Sequence, residues 1–109
     1  MAFDETLAAR IRQNLARHKN IENKKMFGGI GFLLNGNMLV GVWKDSLIVR
    51  VGSDESEHAV LEPHVKEFDI TGKPMKGWVL VDPEGLEDDD RLAGWISRAS
   101  EFVSSLPGK

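Results

Sequence analysis

The 109-residue chain contains no cysteine and no tyrosine. Without cysteine there is no disulfide, no thiolate zinc site, no iron–sulfur cluster and no cysteine nucleophile. That absence accords with a reducing cytoplasm. No apolar run approaches the ~20 residues of a membrane span. The opening Met1-Ala2-Phe3-Asp4-Glu5 places acids where a secretory signal carries lysines, and no long apolar stretch follows. An excess of positive charge is also missing. The net charge of −3 argues against a broadly electropositive nucleic-acid surface. The expectation is a cytoplasmic protein without a membrane anchor, for which direct DNA binding is disfavoured.

What is present describes a globular domain. Apolar residues make up 41% and charged residues 28%, an ordinary balance. The length fits one domain over residues 1–109. Leu7, Ile11, Leu15 and His18 recur at helical spacing and predict a helix over residues 4–19, with Asp4 and Glu5 at its positive end and Asn20 as its stop. Residues 30–51 predict a three-stranded meander. Asn35-Gly36 marks the first hairpin and Lys44-Asp45 the second. Within it Arg50 alternates with Leu47, Val49 and Val51, and so lies on the opposite face.

Asp54 and Glu57 have capping-box spacing and predict a short helix to about Leu61, ended by Pro63. Residues 66–70 suggest a short edge strand, and residues 77–81 a further strand. Gly72, Pro74 and Gly77 mark a turn between them. Leu92, Trp95, Ile96, Ala99, Phe102, Val103 and Leu106 trace one apolar stripe of a final helix, with Asp88, Asp89 and Asp90 at its start. The order predicts an α+β domain. An antiparallel β-sheet, a three-stranded meander plus one or two more strands, carries N-terminal and C-terminal helices packed on it.

Glycines cluster at Gly28, Gly29, Gly31, Gly36 and Gly41. A phosphate cradle requires such glycines to open a helix. Here Gly28-Gly29-Ile30-Gly31 leads into a predicted strand. Gly28 and Gly29 are expected to bend the chain, and Gly31 and Gly41 to relieve crowding where a helix crosses the sheet. His18, His58 and His64 lack metal-ligand spacing, and the acids at 84–90 lack calcium-loop spacing. Serines lack the nucleophile motif. No catalytic residue, metal or cofactor is expected, and an enzyme is the minor reading.

Two features remain. Lys24, Lys25, Arg50, Lys73 and Lys76 form a basic set, a candidate cluster near one edge of the sheet. Arg50 in an apolar strand suits an ion pair with an acid, the commoner use, or an anionic ligand. Trp43 and Trp78 fall on predicted strands. They offer core packing, a partner-binding patch or a homodimer contact.

The whole chain resembles the TfoX N-terminal domain family, the Sxy-like competence regulators and their single-domain relatives. The resemblance rests on Lys25-Met26-Phe27-Gly28-Gly29-Ile30-Gly31-Phe32 after a first helix, on Met38-Leu39-Val40 and on Ser46-Leu47-Ile48-Val49-Arg50-Val51. It continues through Asp69-Ile70-Thr71-Gly72-Lys73-Pro74-Met75-Lys76-Gly77-Trp78-Val79 and closes with Leu92, Trp95 and Ile96. It implies a compact α+β domain from a bacterium. In full-length members a second domain follows, and the protein acts with a cyclic-AMP receptor protein at competence promoters. Ending at Lys109, this chain is expected to be a stand-alone member. The resemblance brings no catalytic residues. It implies a protein partner, either transcription machinery or a regulator.

Overall fold

The computed structural model describes residues 3–26, 28–69, 72 and 75–107, with the Met26 side chain excluded. Helix α1 (Glu5–Leu15) leads to strands β1 (Ile21–Met26), β2 (Gly29–Leu34), β3 (Asn37–Trp43) and β4 (Ser46–Arg50). Helix α2 (Ser53–Ala59), strands β5 (Val65–Glu67) and β6 (Trp78–Val81), a 3-10 turn at Pro83–Gly85 and helix α3 (Asp89–Val103) follow. The six strands form one sheet in the order β1-β2-β3-β4-β6-β5, and every pairing is antiparallel. The protein is thus α+β, with helices at both ends of the chain.

The predicted turns form for the predicted reasons. Asn35 (φ 53°) and Gly36 (φ 82°) both adopt left-handed backbone between β2 and β3, as a tight hairpin demands. Lys44 (φ 56°) does so between β3 and β4. Gly28 (φ 75°) belongs to the turn between β1 and β2, whose closing pair is Met26 and Gly29. The glycine cluster therefore runs through a hairpin into a strand.

Several boundaries differ from the sequence reading. Helix α1 stops at Leu15, not near Lys19. Beyond Leu15 no large apolar residue occurs before Ile21, so nothing anchors a further turn to the core. His18 lies past the helix end and is exposed, not on the apolar stripe. Asn20 (φ 62°) precedes the additional strand β1, which extends the meander to four strands. Helix α2 begins at Ser53 with Gly52 as its cap, so Asp54 sits inside the first turn, where its side chain cannot cap. The helix ends at Ala59, and Leu61 is 81% exposed.

One face of the sheet carries the main core. Leu7, Ala8, Ile11 and Leu15 of α1 and Leu92, Trp95, Ile96, Ala99 and Val103 of α3 pack on Phe32, Val40, Val42, Leu47, Val49, Val79 and Val81. Asp88 caps α3 by accepting from the Asp90 amide at 2.9 Å. Arg10 ties α1 to that helix start. Its guanidinium donates to Asp89 Oδ1 at 2.9 Å and to the Leu86 carbonyl at 2.7 Å.

Candidate interaction site

The opposite face of the sheet has a small core of its own. Ile48, Leu80 and Phe68 are buried there, with Met38, Trp43 and Trp78 half-buried around them. Among the described residues no helix residue belongs to this cluster, and the face is helix-free in that sense. Ser56 and Glu57 of α2 nevertheless line a cleft with Trp78, and Phe102 of α3 approaches Arg50. Its assembly follows from strand register. Trp43 pairs with Ser46, Ile48 with Gly41 and Leu80, and Arg50 with Trp78, and directly paired residues share a face. Met38 joins Trp43 only because β3 carries an extra residue. Phe32 pairs with Val40 but Leu33 with Met38, so Leu39 bulges and the alternation changes phase.

Gly31 and Gly41 are cross-strand partners on this helix-free face. The expectation that they relieve a helix crossing is therefore corrected. A Cβ on Gly41 would lie 2.8 Å from the Ile30 carbonyl oxygen and 3.0 Å from the Met38 methyl carbon. The bare backbone there makes room for the Met38 thioether and for the neighbouring strand.

Among the described residues Lys24 and Lys25 lie apart from Arg50, whereas Arg50 and Lys76 both neighbour Trp78. Lys25 pairs with Ile30 on β1, at one edge of the sheet and on the face of the main core. Arg50 lies at the end of β4, three strands away and on the other face. Lys73 falls outside the described residues. Lys76 is exposed, in a cleft of about 320 Å³ that also holds Trp78, Met75, Glu57 and Glu67. Among the described lining residues two carboxylates, Glu57 and Glu67, share the cleft with the Lys76 ammonium.

Among the described residues no carboxylate pairs with Arg50. Its guanidinium lies instead 5.2 Å from the Trp78 ring centre and 5.8 Å from that of Phe102. The ion pair favoured from sequence is replaced by aromatic contacts on β6 and α3. Trp78 also meets Phe68 at 6.0 Å in a tilted arrangement. Trp43 sits at the other end of the strip, with the Lys44 ammonium 4.7 Å from its ring centre.

Of the family-signature residues, Gly28, Gly29 and Gly31 serve the β1–β2 hairpin and its pairing. Gly72 (φ 90°) and Gly77 (φ 92°) are turn residues. Phe27 and the Met26 side chain lie outside the described residues. His18, His58 and His64 are all exposed. Among the described residues no group of three histidines and carboxylates could hold a metal ion.

Sequence reasoning missed the contacts that join distant segments. Arg98 pairs with Glu55 at 3.3 Å and Glu62 at 3.0 Å, and lies 4.2 Å from the Trp95 ring centre, clamping α2 to α3. The buried Asn37 donates to the Pro107 carbonyl at 2.8 Å. A polar residue directly after a hairpin glycine reads as a turn residue, so no local signal marked it as a tether.

Comparison with known families supplies what the geometry does not. The pattern of the TfoX N-terminal domain matches residues 13–103. The chain belongs to the TfoX N-terminal domain family. No curated protein and no solved structure matches it closely enough to count as similar. In this TfoX N-terminal domain the signature residues serve mainly backbone geometry, while the half-buried aromatic and thioether side chains lie on the helix-free face.

Proposed function

We propose that this chain is a non-enzymatic regulatory domain of a bacterial cytoplasm. It binds a protein of the transcription machinery, or a regulator acting with it, and contributes to transcriptional control of the kind exercised over competence. Membership of the TfoX N-terminal domain family supports the reading. The observation that carries it is the helix-free face, where Trp43 and Met38 stand half-buried beside a small apolar cluster. Aromatic and methionine side chains are enriched where proteins meet, and a half-buried tryptophan supplies large contact area at low entropic cost.

Affinity capture of the full chain from its native cytoplasm tests the proposal, with Trp43→Ala and Leu61→Ala as comparison variants. A transcription factor or polymerase subunit held by the wild type and by Leu61→Ala, but lost from Trp43→Ala, is the expected result. Equal capture by Trp43→Ala overturns the assignment of the face, and absence of any transcriptional partner overturns the role.

One observation favours a second reading, a small anionic ligand or nucleic acid at Arg50. The guanidinium is held over two rings and pairs with no carboxylate among the described residues. Glu57 and Glu67 near Lys76 oppose it. Salt-dependent binding of an anion that is lost in Arg50→Ala would support this reading against the first.

A further inference from the structure

The two edges of the sheet are unlike. Strand β5 spans three residues, whereas β1 spans six and among the described residues pairs on one side only, with β2. Glu22, Asn23, Lys24 and Lys25 are all exposed. Asn23 pairs with Phe32 and Lys25 with Ile30, which places both on the face that the helices cover elsewhere. Their exposure shows that no described helix covers β1 at Asn23 and Lys25, while Ile21 at its start packs against the main core. A long open edge of this kind is a template for another strand unless its side chains prevent pairing.

Lysines at an edge commonly prevent it, so the register decides their effect. Two copies can pair antiparallel about a two-fold axis perpendicular to the sheet, and directly opposed residues then share a face. With the axis at Asn23, Glu22 of each copy faces Lys24 of the other, and Ile21 faces Lys25. Both Glu22–Lys24 contacts lie on the helix-free face, since Glu22 pairs with Leu33 and Lys24 with Gly31. Shifting the axis to Lys24 places the two Lys24 side chains against each other and leaves Glu22 without a lysine. Opposite charges across strands favour pairing and like charges oppose it. The lysines then select one register instead of blocking every register.

The geometry points to β1 as a self-complementary edge through which two copies of this chain join their sheets, antiparallel about Asn23. The join makes one continuous twelve-stranded sheet, twice the six strands of each copy. It leaves the Trp43 faces of both copies on the same side of that sheet. This inference does not depend on the proposed function.

Charge variants of the full chain test it, read by sedimentation equilibrium and light scattering across a concentration series. The wild type is expected to dimerise reversibly. Glu22→Lys and Lys24→Glu should each raise the dimer Kd by about tenfold or more, because both symmetric contacts become like-charge pairs. An equimolar mixture of the two variants should recover dimers, since both contacts of the mixed dimer again join opposite charges. The double variant Glu22→Lys/Lys24→Glu should dimerise alone. Circular dichroism confirms that each variant is folded. A wild type that stays monomeric at the limit of solubility overturns the inference. So does a dimer that neither variant weakens, or a mixture that fails to pair.

Discussion

Ser56 joins two segments of the chain through one hydroxyl. It donates to the Ser53 carbonyl at 3.0 Å and accepts from the Gly77 amide at 3.1 Å. The first bond steadies the opening turn of α2. The second holds the turn that leads into β6, where Trp78 and the cleft begin. Ser56 and Gly77 are both buried, so water does not replace the hydroxyl. A buried donor without a partner costs about 1–3 kcal/mol. Ser56→Ala is therefore expected to lower the free energy of unfolding by about that amount. The exposed Ser97→Ala should change it by less than about 0.5 kcal/mol. Urea denaturation followed by tryptophan fluorescence measures both. Equal stability of the two variants would show that the Gly77 amide finds another acceptor.

At the scale of elements, the two acidic helix starts separate what a sequence shows from what it conceals. Asp88 is the cap of α3 and bonds the Asp90 amide, whereas Asp54 lies inside the first turn of α2. Asp88→Ala should cost about 0.5–2 kcal/mol, and Asp54→Ala no more than about 0.5 kcal/mol. Chemical denaturation of the two variants side by side decides. Helix α3 was legible because its apolar stripe and its cap agree. The hairpin at Asn35 and Gly36 was legible because both residues tolerate positive φ. Strand β1 was not, because Glu22, Asn23, Lys24 and Lys25 are exposed and no alternation survives at an open edge. Missing β1 also concealed that Lys25 lies far from Arg50. The candidate site was legible only in its members. Trp43, Arg50 and Trp78 could each be placed on a strand. Their shared face with Met38 depends on a bulge that no residue type announces. The contact of Arg50 with Phe102 depends on how α3 crosses the sheet.

At the scale of the whole molecule, the sheet carries two unequal cores among the described residues, and the balance between them sets how changes spread. Helices α1 and α3 enclose the larger core, which includes Ile96, while Ile48 and Leu80 belong to the smaller one behind the sheet. Sites with no shared partners, farther apart than about 7–10 Å, add within about 0.3–0.5 kcal/mol. Ile48 and Ile96 lie on opposite sides of the backbone layer and in different clusters. Ile48→Val and Ile96→Val should each cost about 0.5–1.5 kcal/mol, and the double variant should cost their sum within about 0.5 kcal/mol. Ile48 and Leu80 are cross-strand partners in one cluster. Ile48→Val with Leu80→Ala should therefore depart from additivity by more than about 0.5 kcal/mol. Urea unfolding of the two double-mutant cycles provides the test. If the first cycle couples as strongly as the second, the sheet transmits packing changes between its faces. Alterations at Trp43 would then reach the main core, and the helix-free face could not lose a partner without weakening the fold.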